Sequence, residues 1–131
     1  MRVHGHWHDD RFKELRVGAD LGYKSHLKLT DFSSVDEVAH SFKESNVVIN
    51  CVGSRAHWKT DKEFEDSNIR VPVAIAKAAR ANGKIKRFIH VSAAGADPNS
   101  HSRRLRTKWI GEQEVKDIFP DVTIVRPTYI F

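Results

Sequence analysis

The stretch RRLRTKWIGEQEV, residues 103–115, sets Arg104 and Lys108 four residues apart. On a helix that spacing puts both side chains on one face, a turn apart. A tyrosine at the first position would make a proton-transfer pair, because the neighbouring ammonium draws the phenol pKa toward neutrality and the phenol can then protonate a carbonyl. Arg104 cannot fill that role, since a guanidinium stays protonated at any relevant pH. Tyr129 falls on a different element. The helix therefore carries the cation without the acid, and a lysine in a basic helix is equally read as a solvated face. A second candidate is Cys51-Val52-Gly53, closing a nearly uncharged β-branched run. In a parallel sheet such strand ends face ligands, and Gly53 would let the backbone approach one; otherwise Gly53 simply ends the strand. His4, His6 and His8 alternate and on a strand would share one face. No carboxylate or cysteine is placed to complete a metal site there, so a ragged polar start is the preferred reading. Cys51, within an apolar strand, reads as a small inert core residue.

The elements that must position these residues alternate along the chain. A strand at about 1–6 is followed by a polar helix at about 9–16, and HLKLT (26–30) alternates as a second strand. Val35, Val38, Ala39 and Phe42 then recur at helical spacing, with Ser34 and Glu37 fitting a capping box. NVVINCVG is expected as a strand buried on both faces. Residues 63–82 read as one helix or two abutting ones, with Pro72 starting the regular part and Gly83 stopping it. KRFIHVSAAG (86–95) supplies the next strand. The helix over 102–118 is expected to bury a stripe of Leu105, Trp109, Val115, Ile118 and Phe119. Pro120 closes it, and DVTIVRP gives the last strand. Strands alternating with helices imply right-handed crossovers and a parallel sheet. The fold class is α/β, a doubly wound parallel sheet of the Rossmann-like kind, and 131 residues exclude an eight-fold βα barrel. No G-x-G-x-x-G occurs. The sequence reads as a partial domain over 1–131, incomplete at both ends, whose central edge strand should lack a partner.

Composition is that of an ordinary globular chain, 40% hydrophobic and 30% charged. A net charge of +5 permits an anionic partner. Neither an aromatic-and-basic RNA-binding strand pattern nor a zinc-ligand spacing is present, which argues against nucleic acid. No run is long enough to span a bilayer, and the first residues lack an apolar signal region. The single cysteine excludes a disulfide framework and suits a reducing compartment.

Four blocks carry a resemblance: SNVVINCVG, FEDSNIRVPVAIAKAARANGKIKRFIHVS, RRLRTKWIGEQEV with its R-x-K-x-x-G-E, and FPDVTIVRPTYIF with its FPD-x-x-IV-x-P. In these the chain resembles the NADPH-binding, short-chain-dehydrogenase-like accessory subunits of mitochondrial respiratory complex I. They belong to the atypical extended dehydrogenase/reductases, near the NmrA-like and sugar-epimerase groups. The likeness runs through most of residues 12–131.

The resemblance implies a Gly-rich turn before this sequence and a further part after it. It places Asp31 and Phe32 beside an adenine, the carboxylate accepting from the exocyclic amine and the ring offering a flat neighbour. The alternative is that Asp31 merely sits at a helix N-terminus, favoured by the dipole. It places Cys51, Val52, Gly53 and Pro127 along the cofactor. Ser92 falls where active relatives orient a substrate carbonyl, and Lys108 where the nicotinamide ribose hydroxyls are held. NADP(H) is the cofactor the resemblance implies, but the position of its 2′-phosphate clamp falls near His6, a poorer clamp than arginine, with Arg11 as a substitute, so NAD(H) is a possible one. The implied protein is a non-catalytic subunit, partnered by other complex I subunits and peripheral to the mitochondrial inner membrane on its matrix side. Two alternatives are an active NAD(P)-dependent reductase or epimerase and an NmrA-like dinucleotide sensor.

Overall fold

The computed structural model of the chain describes residues 2–4, 25–27, 34–54 and 60–128. Strand β1 (Arg2–His4) pairs in parallel with β2 (Ser25–Leu27), Val3 standing opposite His26. The remaining strands form a second parallel sheet in the order β3 (Val47–Asn50), β4 (Arg87–Val91), β5 (Thr123–Val125). Its register sets Asn50 against His90 and His90 against Ile124. This is the expected alternation and the expected α/β class. The polar helix at 9–16, residues 28–30 of the second expected strand, Asp31, Phe32, His6, His8, Arg11 and Tyr129 all lie outside the described residues.

Each helix starts and stops for a local reason. Helix α1 (Val35–Ser41) opens with the Ser34 hydroxyl accepting from the Glu37 N–H at 3.3 Å. Helix α2 (Asp61–Glu65) has the full reciprocal box, Thr60 accepting from the Glu63 N–H while the Glu63 carboxylate accepts from the Thr60 N–H. It runs through a π-helical turn (Asp66–Arg70) into α3 (Val71–Asn82), which carries Pro72 in its first turn. The turn has a cause in that proline. Pro72 has no N–H and its ring crowds the carbonyl four residues back, so the Val71 N–H reaches five residues back to Asp66 instead. Gly83 ends α3 at φ 69°, in the left-handed region that glycine enters without strain.

Helices α1, α3 and α4 (Arg103–Ile118) share one core with the second sheet, built around Val38, Val48, Ile75, Ala76, Phe88 and Val115. Phe88 meets Phe119 edge to face at 5.7 Å between ring centres, a geometry that adds about 1 kcal/mol to simple burial. The Arg80 guanidinium donates to the Ile118 carbonyl at 2.8 Å and so closes the C-terminal end of α4.

Three sequence expectations are corrected here. Strand β3 is buried on one face only: Val48 and Asn50 point into the core, whereas Val47 and Ile49 are 42% and 61% exposed. Helices α1, α3 and α4 pack on the first face, so an uncharged strand signalled apolar surface without fixing what lies over it. Cys51 stands just past the strand and is exposed, not a core residue. The buried face of α4 is Thr107, Lys108, Gly111, Glu112 and Val115, with Leu105 and Trp109 only half-buried. Val115, Ile118 and Phe119 of the expected stripe do pack on the core, whereas toward the site the inner side of the helix is polar. No helix among the described residues is long and apolar enough to cross a membrane.

Candidate functional site

Three segments converge at the carboxyl ends of β3 and β4: the turn after β3, the end of β4, and the first turns of α4. Lys108 is the centre of this convergence. It is only 6% exposed, and its ammonium donates to the Val91 carbonyl at 3.3 Å. A Cβ on Gly53 would come 2.3 Å from Lys108 Nζ and 3.3 Å from Asn68 Oδ1. The lysine head lies against the glycine backbone, and a side chain at this position would have to push it aside. Burial, and then the charge of Arg104, hold the Lys108 pKa below its ordinary value, while Glu112 and Cys51 pull the other way. An ammonium so held retains N–H donors beyond the one given to Val91.

Asn68, fully buried on the π-helical turn, fastens this arrangement. Its Oδ1 accepts from the Ser54 N–H at 3.1 Å and its Nδ2 donates to Thr107 Oγ1 at 3.0 Å. One amide thus ties the turn after β3 to α4, on the residue next to Lys108. Ser92, buried at the end of β4, has an Oγ with no hydrogen-bond partner among the described residues. Its N–H donates to the Val125 carbonyl, and the Ala94 N–H donates to the Pro127 carbonyl at 2.8 Å, which brings the end of β5 alongside.

Beneath this lies a second buried polar layer. Asn50 Oδ1 accepts from the Val52 N–H at 3.0 Å, so its Nδ2 is the donor to His90 Nδ1 at 2.9 Å. His90 Nε2 has no partner. Desolvation, then Lys108, push the His90 pKa down to about 4, with Glu112 opposing. Glu112 is fully buried, and Arg126 donates to both its oxygens, from Nε at 3.0 Å and Nη2 at 2.6 Å.

Of the residues singled out from sequence, the structure brings together Gly53 and Lys108 directly, with Cys51, Val52, Ser92 and Pro127 at the same sheet end. Cys51 and Val52 make no side-chain hydrogen bond there. Asn50, Asn68, His90, Thr107 and Glu112 went unread. Two had a signal: Asn50 and His90 are polar interruptions of apolar strands, and polar groups inside such runs need one another. Gly111 and Glu112 were visible only as letters in R-x-K-x-x-G-E.

Gly53→Ala is expected to displace the buried ammonium from the Val91 carbonyl. The loss is about 1.5 kcal/mol of stability, the scale of one charge-assisted hydrogen bond. Urea denaturation of the two proteins measures it; an unchanged midpoint would show that Lys108 does not rest on Gly53.

A buried ammonium with spare donors, an unpartnered hydroxyl and a backbone bare of side chain form a polar niche at the carboxyl end of a parallel sheet. That is where open α/β sheets bind ligands. Residues 20–130 match a family described as NAD(P)H-binding. The chain is 42% identical over 118 residues to the NADH dehydrogenase [ubiquinone] 1 alpha subcomplex subunit 9 of Mus musculus, a mitochondrial protein. That match takes in 89% of this chain and 30% of the mouse protein. It is 40% identical over 119 residues to the mitochondrial NADH-ubiquinone oxidoreductase 40 kDa subunit of Neurospora crassa, 91% of this chain and 31% of that one. The chain thus spans about a third of the length of these relatives. Among solved structures, a dTDP-4-dehydrorhamnose reductase from Bacillus anthracis in complex with NADP superposes with a TM-score of 0.70 at 16% identity, covering 91% of this chain and 48% of the reductase. A UDP-glucuronic acid 4-epimerase from Bacillus cereus in complex with NAD gives 0.69 at 17% identity, covering 87% and 42%. These likenesses carry the Rossmann-like fold alone. The family match over most of the length, joined to the niche at the sheet end, makes the chain a member of the NAD(P)H-binding family.

Proposed function

We propose that this chain holds a nicotinamide dinucleotide as a structural ligand within an accessory subunit of mitochondrial respiratory complex I, and that it transfers neither hydride nor proton. The observation that carries the reading is the buried Lys108 ammonium lying on Gly53, with Arg104 rather than a tyrosine one turn before it. The residues fit the ribose end of such a cofactor. Lys108 keeps donors for vicinal hydroxyls, Ser92 Oγ is an unpartnered donor and acceptor, and Gly53 leaves the backbone open. Bound, a nicotinamide dinucleotide would supply hydride chemistry. Arg104, one turn before Lys108, cannot exchange the accompanying proton, since a guanidinium does not release one. NADP(H) is the preferred form, with NAD(H) as the alternative. Asp31 and Phe32 are proposed beside the adenine, and Cys51, Val52 and Pro127 along the nicotinamide half.

The relatives' names support the assembly part of this reading: both belong to ubiquinone-linked NADH oxidoreductases of mitochondria. The partners are then other subunits of that complex, and the location the matrix side of the inner membrane. A ligand that only the native state binds stabilises it by mass action, so the cofactor would act on folding and assembly.

The test is native electrophoresis of solubilised mitochondrial membranes together with nucleotide analysis of the band. The protein is expected to migrate with complex I and to release dinucleotide on denaturation. Lys108→Gln is expected to weaken dinucleotide binding about tenfold, equivalent to some 1.4 kcal/mol. Recovery only as a free protein, or substrate-dependent NADPH oxidation, would overturn the reading.

A further inference from the structure

Helix α4 begins against the usual rules of charge. The first turns of α1 and α2 carry Asp36, Glu37, Asp61 and Glu63, as the positive end of a helix favours. The first turn of α4 has no acidic residue, and its N-cap Ser102 offers no side-chain hydrogen bond to the helix. Arg103, Arg104 and Arg106 stand there instead.

Two of these guanidiniums are accounted for. Arg103 forms an ion pair with Asp61 of α2, and Arg106 donates to the Ser100 carbonyl. Arg104 has no hydrogen-bond or ion-pair partner among the described residues. It lies half-buried on the face it shares with Lys108, close enough for its charge to disfavour the lysine's. The acid that could offset the pair is committed, since both Glu112 oxygens are held by Arg126. One residue beyond the carbonyl that Lys108 touches, Ser92 Oγ is buried and unpartnered. The place thus holds two like charges, a positive helix end and an unused hydroxyl, all suited to one kind of group.

We propose that Arg104, Lys108 and Ser92 form a receptor for a small anionic group, a carboxylate or phosphate, at the first turns of α4. Guanidinium and ammonium together bind such oxygens with charge-assisted hydrogen bonds. The exchange of a proton donor for a guanidinium would then turn a carbonyl-directed position into an anion-directed one. The inference shares Lys108 and Ser92 with the dinucleotide reading, on which it rests, and goes beyond it in giving Arg104 a ligand. The anionic group could be a phosphate of the dinucleotide or belong to a separate molecule.

Inorganic phosphate is the probe, titrated at constant ionic strength into the purified protein while thermal unfolding is followed, with and without saturating NADPH. Phosphate is expected to raise the unfolding temperature with a midpoint on the order of 1 mM. Arg104→Gln is expected to move that midpoint at least about tenfold higher, and Arg104→Lys, which keeps the charge, to restore most of it. If NADPH abolishes the phosphate effect, cofactor and anion compete for one place; if the effect persists, the anion binds beside the cofactor. Both outcomes support the receptor. An absent phosphate effect, or one that Arg104→Gln leaves unchanged, overturns it. NADPH binding to the wild-type protein, measured without phosphate, stands or falls on its own and separates failure of the dinucleotide reading from failure of this one.

Discussion

Gly111→Ala is expected to destabilise the protein by about 3 kcal/mol, with a fall in Tm on the order of 10 °C. By helix propensity alone the change should help, since alanine is favoured over glycine by about 1 kcal/mol inside a helix. Packing decides otherwise. A Cβ at Gly111 would sit 2.0 Å from the Asn68 carbonyl oxygen, 3.2 Å from its carbon and 3.6 Å from Ile69 Cα. All three are backbone atoms, which cannot swing aside as a side chain can. The Asn68 carbonyl is there because Pro72, four residues on, has no N–H to give it. The π-helical turn and the glycine are therefore two halves of one contact. Forcing α4 away from the turn would also break the Asn68–Thr107 hydrogen bond and move Lys108, which follows Thr107 in the chain. Thermal and urea denaturation measure the loss, and a stabilised Gly111→Ala protein would mean the two helices are not in contact at this point.

That contact shows which parts of the molecule were legible in the sequence. The alternation of strands and helices was, and so were boundaries written in single residues: Ser34 before α1, Pro72 in the first turn of α3, Gly83 after it. These depend on local chemistry that each residue brings with it. The π-helical turn was not legible, because it arises between a proline and a carbonyl whose displaced geometry needs a glycine on another helix. The open face of β3 was not, because an apolar strand states what it can bury and not what arrives to cover it. Of the site, Gly53 was nominated by its place at a strand end, and Ser92 and Lys108 by the family resemblance. Their support was hidden. Asn68 reads as an ordinary helix residue, and Glu112 as one more charge in a charged helix, until tertiary packing buries both completely.

The buried His90 should make stability depend on pH below neutrality. Its folded-state pKa of about 4 lies below the ordinary histidine value of 6.5. The unfolded chain therefore binds the proton more readily, and stability falls as pH drops from about 6.5 toward 4. Between pH 7.5 and 4.5 the expected loss is about 2.5 kcal/mol. Hydrogen bonding explains why protonation is resisted, beyond the cost of a buried charge near Lys108. The Val52 N–H fixes Asn50 Oδ1 as acceptor and Nδ2 as donor, so His90 Nδ1 must accept and Nε2 carries the hydrogen. A second proton on Nδ1 would set donor against donor. Flipping the Asn50 amide to receive it would leave the Val52 N–H facing an NH2 group. Either way one buried partner is lost. His90→Gln offers Asn50 an acceptor that does not titrate, so its stability should stay level across that window apart from the carboxylates common to both proteins. Urea midpoints of the two proteins at pH 7.5 and 4.5 give the comparison. Parallel losses in both would place the acid sensitivity elsewhere in the fold and leave the paired strand residues Asn50 and His90 as a neutral hydrogen bond only.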